Sequence, residues 1–467
     1  METSHTQPSL ETIISLCKRR GFVYPTSEIY GGLANTYDYG PLGAELLNNI
    51  RQIWWHTFIT QREDMVGLDS AVILHPQTWV ASGHVNSFTD PLVEDKVTHK
   101  RYRVDHLIES WLKDQGIPLN EVNVDAMSLD EMAAFIEQHR IQSPEGNPIT
   151  TPKAFNIMFK TGIGAVASEK SEVYLRGETA QGIFTNFQQI VNTNRLKLPF
   201  GIGQIGKSFR NEITTGQFIF RTLEFEQAEI EYFFHPDETS WTGVFKEWQE
   251  LMWSFVVERL GISEKNLRWR RHNDRERSHY SQDTYDLDYR YPFGWKELWG
   301  IAYRTDYDLK QHMEHSGKSL EYIDPTSGKR VVPHVIEPAV GINRIFLMIL
   351  TDAYWEDLER KRLVLKIKPS LAPYKVAVFP LVKNKPDLVA MARGIFKTLS
   401  LEMPAVWDTR GNIGKRYLYQ DEIGTPYCVT VDYESLANHT VTVRYRDDTT
   451  QDRVAIADLS AYIKAKI

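Results

Sequence analysis

Apolar positions along the chain recur with periods that divide it into distinct blocks. After YDYGPLG, the residues Leu42, Leu46, Ile50, Trp54 and Phe58 recur at intervals of four. This predicts a helix opened by Pro41 with one stripe facing a core. MVGLDSAVILHP reads as a strand stopped by Pro76, and WVASGHVNSFTDP as the loop that follows. From 105 to 150 the pattern turns helical. DHLIESWLKDQ is amphipathic, and Ser128 with Glu131 forms a capping box opening SLDEMAAFIEQHR, so this stretch reads as an inserted helical subdomain.

From Ala154 to Phe234 several strand patterns surround one helix, ETAQGIFTNFQQIV, which suggests an antiparallel sheet. A long helix is expected from Asp237, as its cap, to Leu260, with Gly261 as its stop. VVPHVIEPAVGINRIFLMIL predicts strand, turn and buried helix. KPSLAP, with its two prolines, reads as a linker ending near Pro373. Beyond it VAVFPLV, LVAMARGIFKTLS, PYCVTVDY and HTVTVRYRD alternate strand and helix, the pattern of a small separate α/β domain.

Composition narrows the class. Of 467 residues, 42% are hydrophobic and 25% charged, with no low-complexity tract, so disorder and fibrous repeats are poor readings. A net charge of −7 argues against a protein held on nucleic acid by bulk charge. The longest apolar run, Ile345 to Leu350, falls far below the ~20 residues of a membrane span, so no membrane association is expected. METSHTQPSLET lacks an apolar signal region. Cys17 and Cys428 lie far apart with no metal-binding spacing, and reduced thiols in a cytoplasmic protein are expected.

The segment FRNEITTGQFIFRTLEFEQAEIEYF carries most of the chemistry. Phe209, Arg210 and Glu212 end one strand and Arg221 to Phe233 begins the next, so it reads as a hairpin with Arg221, Phe225 and Glu229 on one face. Phe225 and Glu229 then lie about 13 Å apart, the length of an aminoacyl adenylate. A cation for phosphate, a carboxylate for an exocyclic amine and an aromatic plane for a purine are what ATP binding requires. The plain alternative is a salt-bridged exposed face. Against it stand Glu178 at a helix start, Glu297 within an apolar run, Glu337 before a proline turn, and Arg344 in the first turn of an apolar helix.

These residues are similar to the signatures of class II aminoacyl-tRNA synthetases. Phe209, Arg210, Glu212, Arg221 and Phe225 match the second signature, Gly341 and Arg344 the third, and Pro41 to Pro76 the first. Within the class the chain resembles the homodimeric type of glycyl-tRNA synthetase. The matching motifs, in order, are YDYGPLG, HPxxWxxSGH, ETAQGIF, FRNE, FEQxEIEyF, GWxELxGIAxRTDYDL and GxIGKRYxxQDEIGTPYCVTVD.

The resemblance implies an α+β fold: a class II catalytic core on an antiparallel sheet of roughly six or seven strands, a helical insertion, and a mixed α/β anticodon-binding domain. The expected bounds are 1–104 and 151–370, 105–150, and 371–467. It implies a glycine–tRNA ligase that forms glycyl-adenylate from ATP and passes the glycyl group to the 3′ end of tRNA(Gly). Arg210 would hold the α-phosphate, Glu212 the adenine amine and Arg221 the γ-phosphate, with adenine between Phe225 and Arg344. Asn211, Phe220, Thr222, Leu298 and Gly341 complete the implied ATP set. Arg210, Arg344 and Glu297 would be catalytic, and Glu297 would bind Mg²⁺. Arg103, Glu178, Glu229, Glu337 and Ala339 would surround glycine; Arg410, Lys415 and Arg416 would meet tRNA. Selection against alanine would rest on pocket size.

A homodimer is implied, with Trp54 and Trp55 either at its interface or within the core. Arg268, Arg270, Arg271, Arg275 and Arg277 face tRNA, ATP or only solvent. Three positions depart from the family pattern: Ala339 stands for serine, Leu223 for arginine and Gly177 for proline. EDKVTHKRYRVD lacks the cysteines of zinc-binding relatives, so no zinc is expected. Two other functions remain open from sequence: a binding protein that has lost catalysis, and a ligase that adenylates a different carboxylate.

Overall fold

The stripe of Leu42, Leu46, Ile50 and Trp54 lies on a helix, α1 (Pro41–Trp55), with Pro41 in its first turn. The computed structural model describes residues 7–118, 122–124, 127–164, 172–212, 217–273 and 281–467. α1 covers one face of a seven-stranded sheet made of β1 (Met65–Gly67), β2 (Phe200–Phe209), β3 (Glu224–Phe234), β4 (Leu267–Arg271), β5 (Asp283–Tyr291), β6 (Gly294–Thr305) and β7 (His334–Gly341). The order across the sheet is β4-β5-β6-β7-β3-β2-β1, and every pair is antiparallel except β1 with β2. Trp299, Ile301 and Tyr303 of β6 point into the same core as Trp54 and Phe58. Three further helices matter for the site: α2 (Ala180–Asn194), α3 (Tyr307–Ser316) and α4 (Ile342–Ala353).

Several local expectations are corrected. Only Met65–Gly67 of MVGLDSAVILHP is a strand, and Pro76 opens a short helix, Pro76–Ala81, instead of stopping a strand. A second turn, His84–Ser87, and a strand, Thr89–Glu94, occupy the expected loop. Proline suits a first helical turn as well as a strand end, and the His75 ring caps the helix by accepting from Gln77 N–H. The long helix begins at Trp241 after Ser240 and ends through a π turn, Phe255–Arg259. Asp237 lies ahead of it, its N–H bonded to the His235 ring. Pro338 makes no turn; it lies within β7, paired with Ile301.

Helices Val104–Asp114 and Leu129–His139, the latter with the Ser128–Glu131 capping box, share a small core. They stand beside a three-stranded sheet formed by Arg101–Arg103, Thr89–Glu94 and Lys153–Asn156. In the C-terminal part, β8 (Val376–Pro380), α5 (Pro386–Ser400), β9 (Ala405–Trp407), α6 (Ile413–Ile423), β10 (Tyr427–Val431), β11 (Thr440–Tyr445) and β12 (Gln451–Ala455) build a mixed sheet ordered β9-β8-β10-β11-β12 around its own core. The KPSLAP segment is packed down: Leu371 and Ala372 are buried, and their carbonyls accept from Asn49. Trp54 is buried against Phe58 and Trp55 lies against Gly67, so both serve the interior of this chain. Both cysteines are buried and unpaired. Among the described residues no helix is long and apolar enough to cross a membrane.

Candidate active site

Strand register puts a set of polar and small residues on the sheet face opposite the aromatic core. Side chains alternate along a strand, so Phe225, Gln227, Glu229 and Glu231 of β3 share a face. Glu229 is opposite Ala339, which in turn is opposite Gly300, and Glu337 is opposite Ala302. Gly300, Ala302, Ala339 and Gly341 fill little space there. A cavity of about 370 Å³ results.

A bulge decides one position. β5 and β6 pair Leu287 with Trp299 but Asp288 with Glu297, leaving Leu298 as an extra residue. The bulge brings Glu297 to the same face as Gly300, although they are three residues apart, and drives Leu298 into the core. The β3–β7 ladder is also interrupted beside Pro338, which has no N–H to give. There Glu229, Glu231 and Glu337 converge, one carboxylate oxygen of each within 4.8 Å of the others.

At this closed end Glu178, ahead of α2, pairs with His84 at 3.3 Å and accepts from Gln181. Burial opposes its charge, but His84 and the Arg304 guanidinium hold it below the usual carboxylate range. Glu229 accepts from Gln227 at 3.0 Å and from the Thr179 hydroxyl. Burial and the charges of Glu337 and Glu178 raise it well above that range. Arg304 joins Glu337 and Asp308 at 2.8 Å each, yet burial and Glu178 leave Glu337 raised.

At the open end the Arg210 guanidinium lies 5.0 Å from the Phe88 ring and 5.2 Å from Phe225, and donates to the Gly177 carbonyl. Arg344 lies 4.5 Å over Phe220 and pairs with Glu297 at 3.1 Å. Burial opposes the charge on Glu297, and Arg344 holds it low. Arg221 and Glu212 approach within 3.1 Å. Arg221 precedes β3 instead of lying on it, after a short turn at Phe218–Phe220. Asp286 faces the cavity beside Glu297: a Cβ on Gly300 would sit 3.8 Å from an oxygen of the first and 3.7 Å from one of the second. Two adjacent carboxylates of this kind suit a hard dication that also meets phosphate.

Arg210, Glu212, Phe220, Arg221, Thr222, Phe225, Glu178, Glu229, Glu297, Glu337, Ala339, Gly341 and Arg344 thus line one cavity. Three expected residues do not. Arg103 is held by Asp90 and Asp105, Leu298 is core, and Asn211 donates its N–H to the Ile157 carbonyl. In the C-terminal part Arg410 is exposed beside Asp408 and Lys415 is exposed. Arg416 is buried, its guanidinium donating to the Pro380 and Leu381 carbonyls, and is not available to RNA. Arg268, Arg270 and Arg271 pair with Asp288, Asp286 and Asp283; Arg275 and Arg277 lie outside the described residues.

Sequence reading missed Phe88, Thr179, Gln227, Glu231, Asp286 and Arg304. Period-two alternation from Phe225 was a signal for Gln227 and Glu231; the others come from distant segments. One departure finds a local reason. A Cβ on Gly177 would meet the Phe88 ring at 2.9 Å, so any side chain there displaces that ring. The Leu223 carbonyl accepts from Arg210 N–H at 2.9 Å, a bond that any residue there would make, and nothing in the structure explains leucine in place of arginine.

Residues 159–353 match the family described as "tRNA synthetase class II core domain (G, H, P, S and T)", and residues 375–466 match "Anticodon binding domain". The chain is 50% identical over 464 residues to a glycine–tRNA ligase of Caldanaerobacter subterraneus subsp. tengcongensis, covering 98% of each. It is 49% identical over 468 residues to that of Alkaliphilus oremlandii, covering 99% of each. To the Bacillus anthracis protein of the same name it is 48% identical over 464 residues, covering 98% of this chain and 99% of the other.

Proposed function

The chain belongs to the glycine–tRNA ligases, a class II aminoacyl-tRNA synthetase family, and on that premise we propose how its cavity divides the work. The enzyme joins glycine to tRNA and uses ATP as substrate. The observation that carries the residue assignment is the single row on β3, with a clamp of rings and guanidinium groups at one end and buried acids at the other.

Adenine lies between Phe225 and Arg344, its amine on Glu212. Arg210 meets the α-phosphate and Arg221, which pairs with Glu212, meets the γ-phosphate. Glu297 together with Asp286 would hold Mg²⁺, which would offset phosphate charge when bound. Glu178, Glu229 and Glu337 receive the glycine ammonium, and Ala339 lies beside them. The glycine carboxylate attacks the α-phosphorus, pyrophosphate departs, and the terminal ribose hydroxyl of tRNA(Gly) attacks the adenylate carbonyl. The residues contribute charge and alignment, with no side-chain nucleophile.

The domain division proposed is that expected from sequence: core at 1–104 and 151–370, insertion at 105–150, anticodon-binding domain at 371–467. Arg410 and Lys415, without Arg416, face the anticodon. A homodimer in the cytoplasm is the expected state. Its support moves from Trp54 and Trp55 to the exposed Ile29, Tyr30 and Leu33, an apolar group next to the sheet edge of Tyr37–Tyr39. Amino-acid-dependent ATP–pyrophosphate exchange tests the assignment. Exchange with glycine, and not with alanine, serine or no amino acid, is the expected result; exchange with alanine equal to glycine refutes it.

A further inference from the structure

Three of the acids at the closed end, Glu229, Glu231 and Glu337, are unequally supplied with partners. Glu229 accepts from Gln227 and Thr179, and Glu337 accepts from Arg304. Glu231 is fully buried, and among the described residues neither of its carboxyl oxygens has a hydrogen-bond partner. The charged groups facing it are Glu229 from its own strand, Glu337 from β7, Arg304 from β6 and Asp308 from α3. Arg304 is already shared between Asp308 and Glu337. A buried carboxyl with no donor, beside two other acids, keeps a proton instead of a charge. Burial, then the charge of Glu337, raises Glu231 well above the ordinary carboxylate range.

We propose that glycine enters this pocket by proton exchange: its ammonium settles against Glu178, Glu229 and Glu337, and the proton held on Glu231 beneath them leaves to solvent. The O–H bond of the Glu231 carboxyl breaks, the proton passes to a buffer base, and no other bond changes. The total charge of the cluster with its bound cation is the same before and after, which is why a low-dielectric pocket favours the exchange over simple addition of a cation. Glu231 does not touch the ammonium. It is a positioning residue whose ionisation strengthens the field that holds the ammonium in place. The inference rests on the closed end being the glycine subsite.

The linkage has a direct consequence. Where one proton leaves per glycine bound, affinity rises by about tenfold per pH unit as pH increases. Calorimetry of glycine binding to the intact enzyme, in two buffers of different ionisation heat at the same pH, counts the protons. Close to one released per glycine is expected for the native protein and close to none for Glu231→Gln. In that variant KM for glycine loses its pH dependence while kcat for pyrophosphate exchange stays within about twofold. Glycine binding by the native protein without proton release overturns the proposal, whatever the variant does. So does an unchanged proton count in Glu231→Gln, which puts the proton on Glu229 or Glu337. Absence of glycine binding to the native protein overturns the subsite reading itself.

Discussion

Glu229 on β3 and Ala339 on β7 stand directly opposite each other in the antiparallel ladder, and both face the cavity. The Ala339 methyl occupies the position where the family pattern has a hydroxyl. Ala339→Ser is expected to lower KM for glycine by about twofold to tenfold, the equivalent of one added hydrogen bond of ~0.5 to 1.5 kcal/mol. Glycine-dependent pyrophosphate exchange measures it. An unchanged or raised KM counts against the placement of Ala339 beside glycine.

Arg344 serves two groups at once, the Phe220 ring and the Glu297 carboxylate. Arg344→Ala removes the flat cation and leaves Glu297 without its charge partner. Its kcat/KM for ATP should fall on the order of 100-fold or more, the scale of losing a positioned charged donor. Arg344→Lys should recover only a small part, because an ammonium cannot stack as a planar guanidinium does. Full recovery by lysine would mean that charge alone matters.

Gly177 leaves room for the Phe88 ring, and Phe88 in turn lies against Arg210. In Gly177→Ala the new methyl forces Phe88 to shift, at roughly 1 to 3 kcal/mol of overpacking. The melting temperature should drop, and KM for ATP should rise more than KM for glycine. An equal rise in both would separate Gly177 from the nucleotide end.

Arg416 and Lys415 are neighbours in sequence with opposite fates. Arg416→Ala removes donors from the buried Pro380 carbonyl and the half-buried Leu381 carbonyl, so the melting temperature should fall and isolated adenylation should follow the loss of folded protein. Lys415→Ala and Arg410→Ala should leave melting unchanged, raise KM for tRNA and flatten its salt dependence. Thermal melts and charging assays at two ionic strengths distinguish the two classes.

Glu229 and Glu231 are raised in the folded protein above their unfolded value near 4.3. Their contribution to stability is therefore fully present below that pH and is lost as pH rises through the raised folded values. The ligand-free protein should melt at lower temperature as pH increases above about 4.3, and Glu231→Gln should flatten that decline. Glu178 has the opposite sign: its folded value is lowered, so its contribution is present above about pH 4.3 and lost as pH falls through the lowered value. Melting curves across both ranges, with and without Glu231→Gln, test the assignment.

The sequence by itself determined what depends on neighbours along the chain. Helical stripes, the Ser128 capping box, the β3 hairpin and the order of Arg210, Glu212, Phe225, Glu337 and Arg344 follow from local periodicity and turn chemistry. Tertiary structure decided what depends on register and on distant partners. The bulge at Leu298 turns Glu297 toward the cavity, where plain alternation puts it on the other face from Gly300. Asp90 and Asp105 hold Arg103 outside the cavity lining, and the Pro380 and Leu381 carbonyls hold Arg416 away from the surface. Asp286, Thr179 and Arg304 reach the site from three segments far apart in the chain. An ionisable side chain has a role only once its burial and its charge partners are set, and a linear pattern carries neither for residues brought together across a sheet.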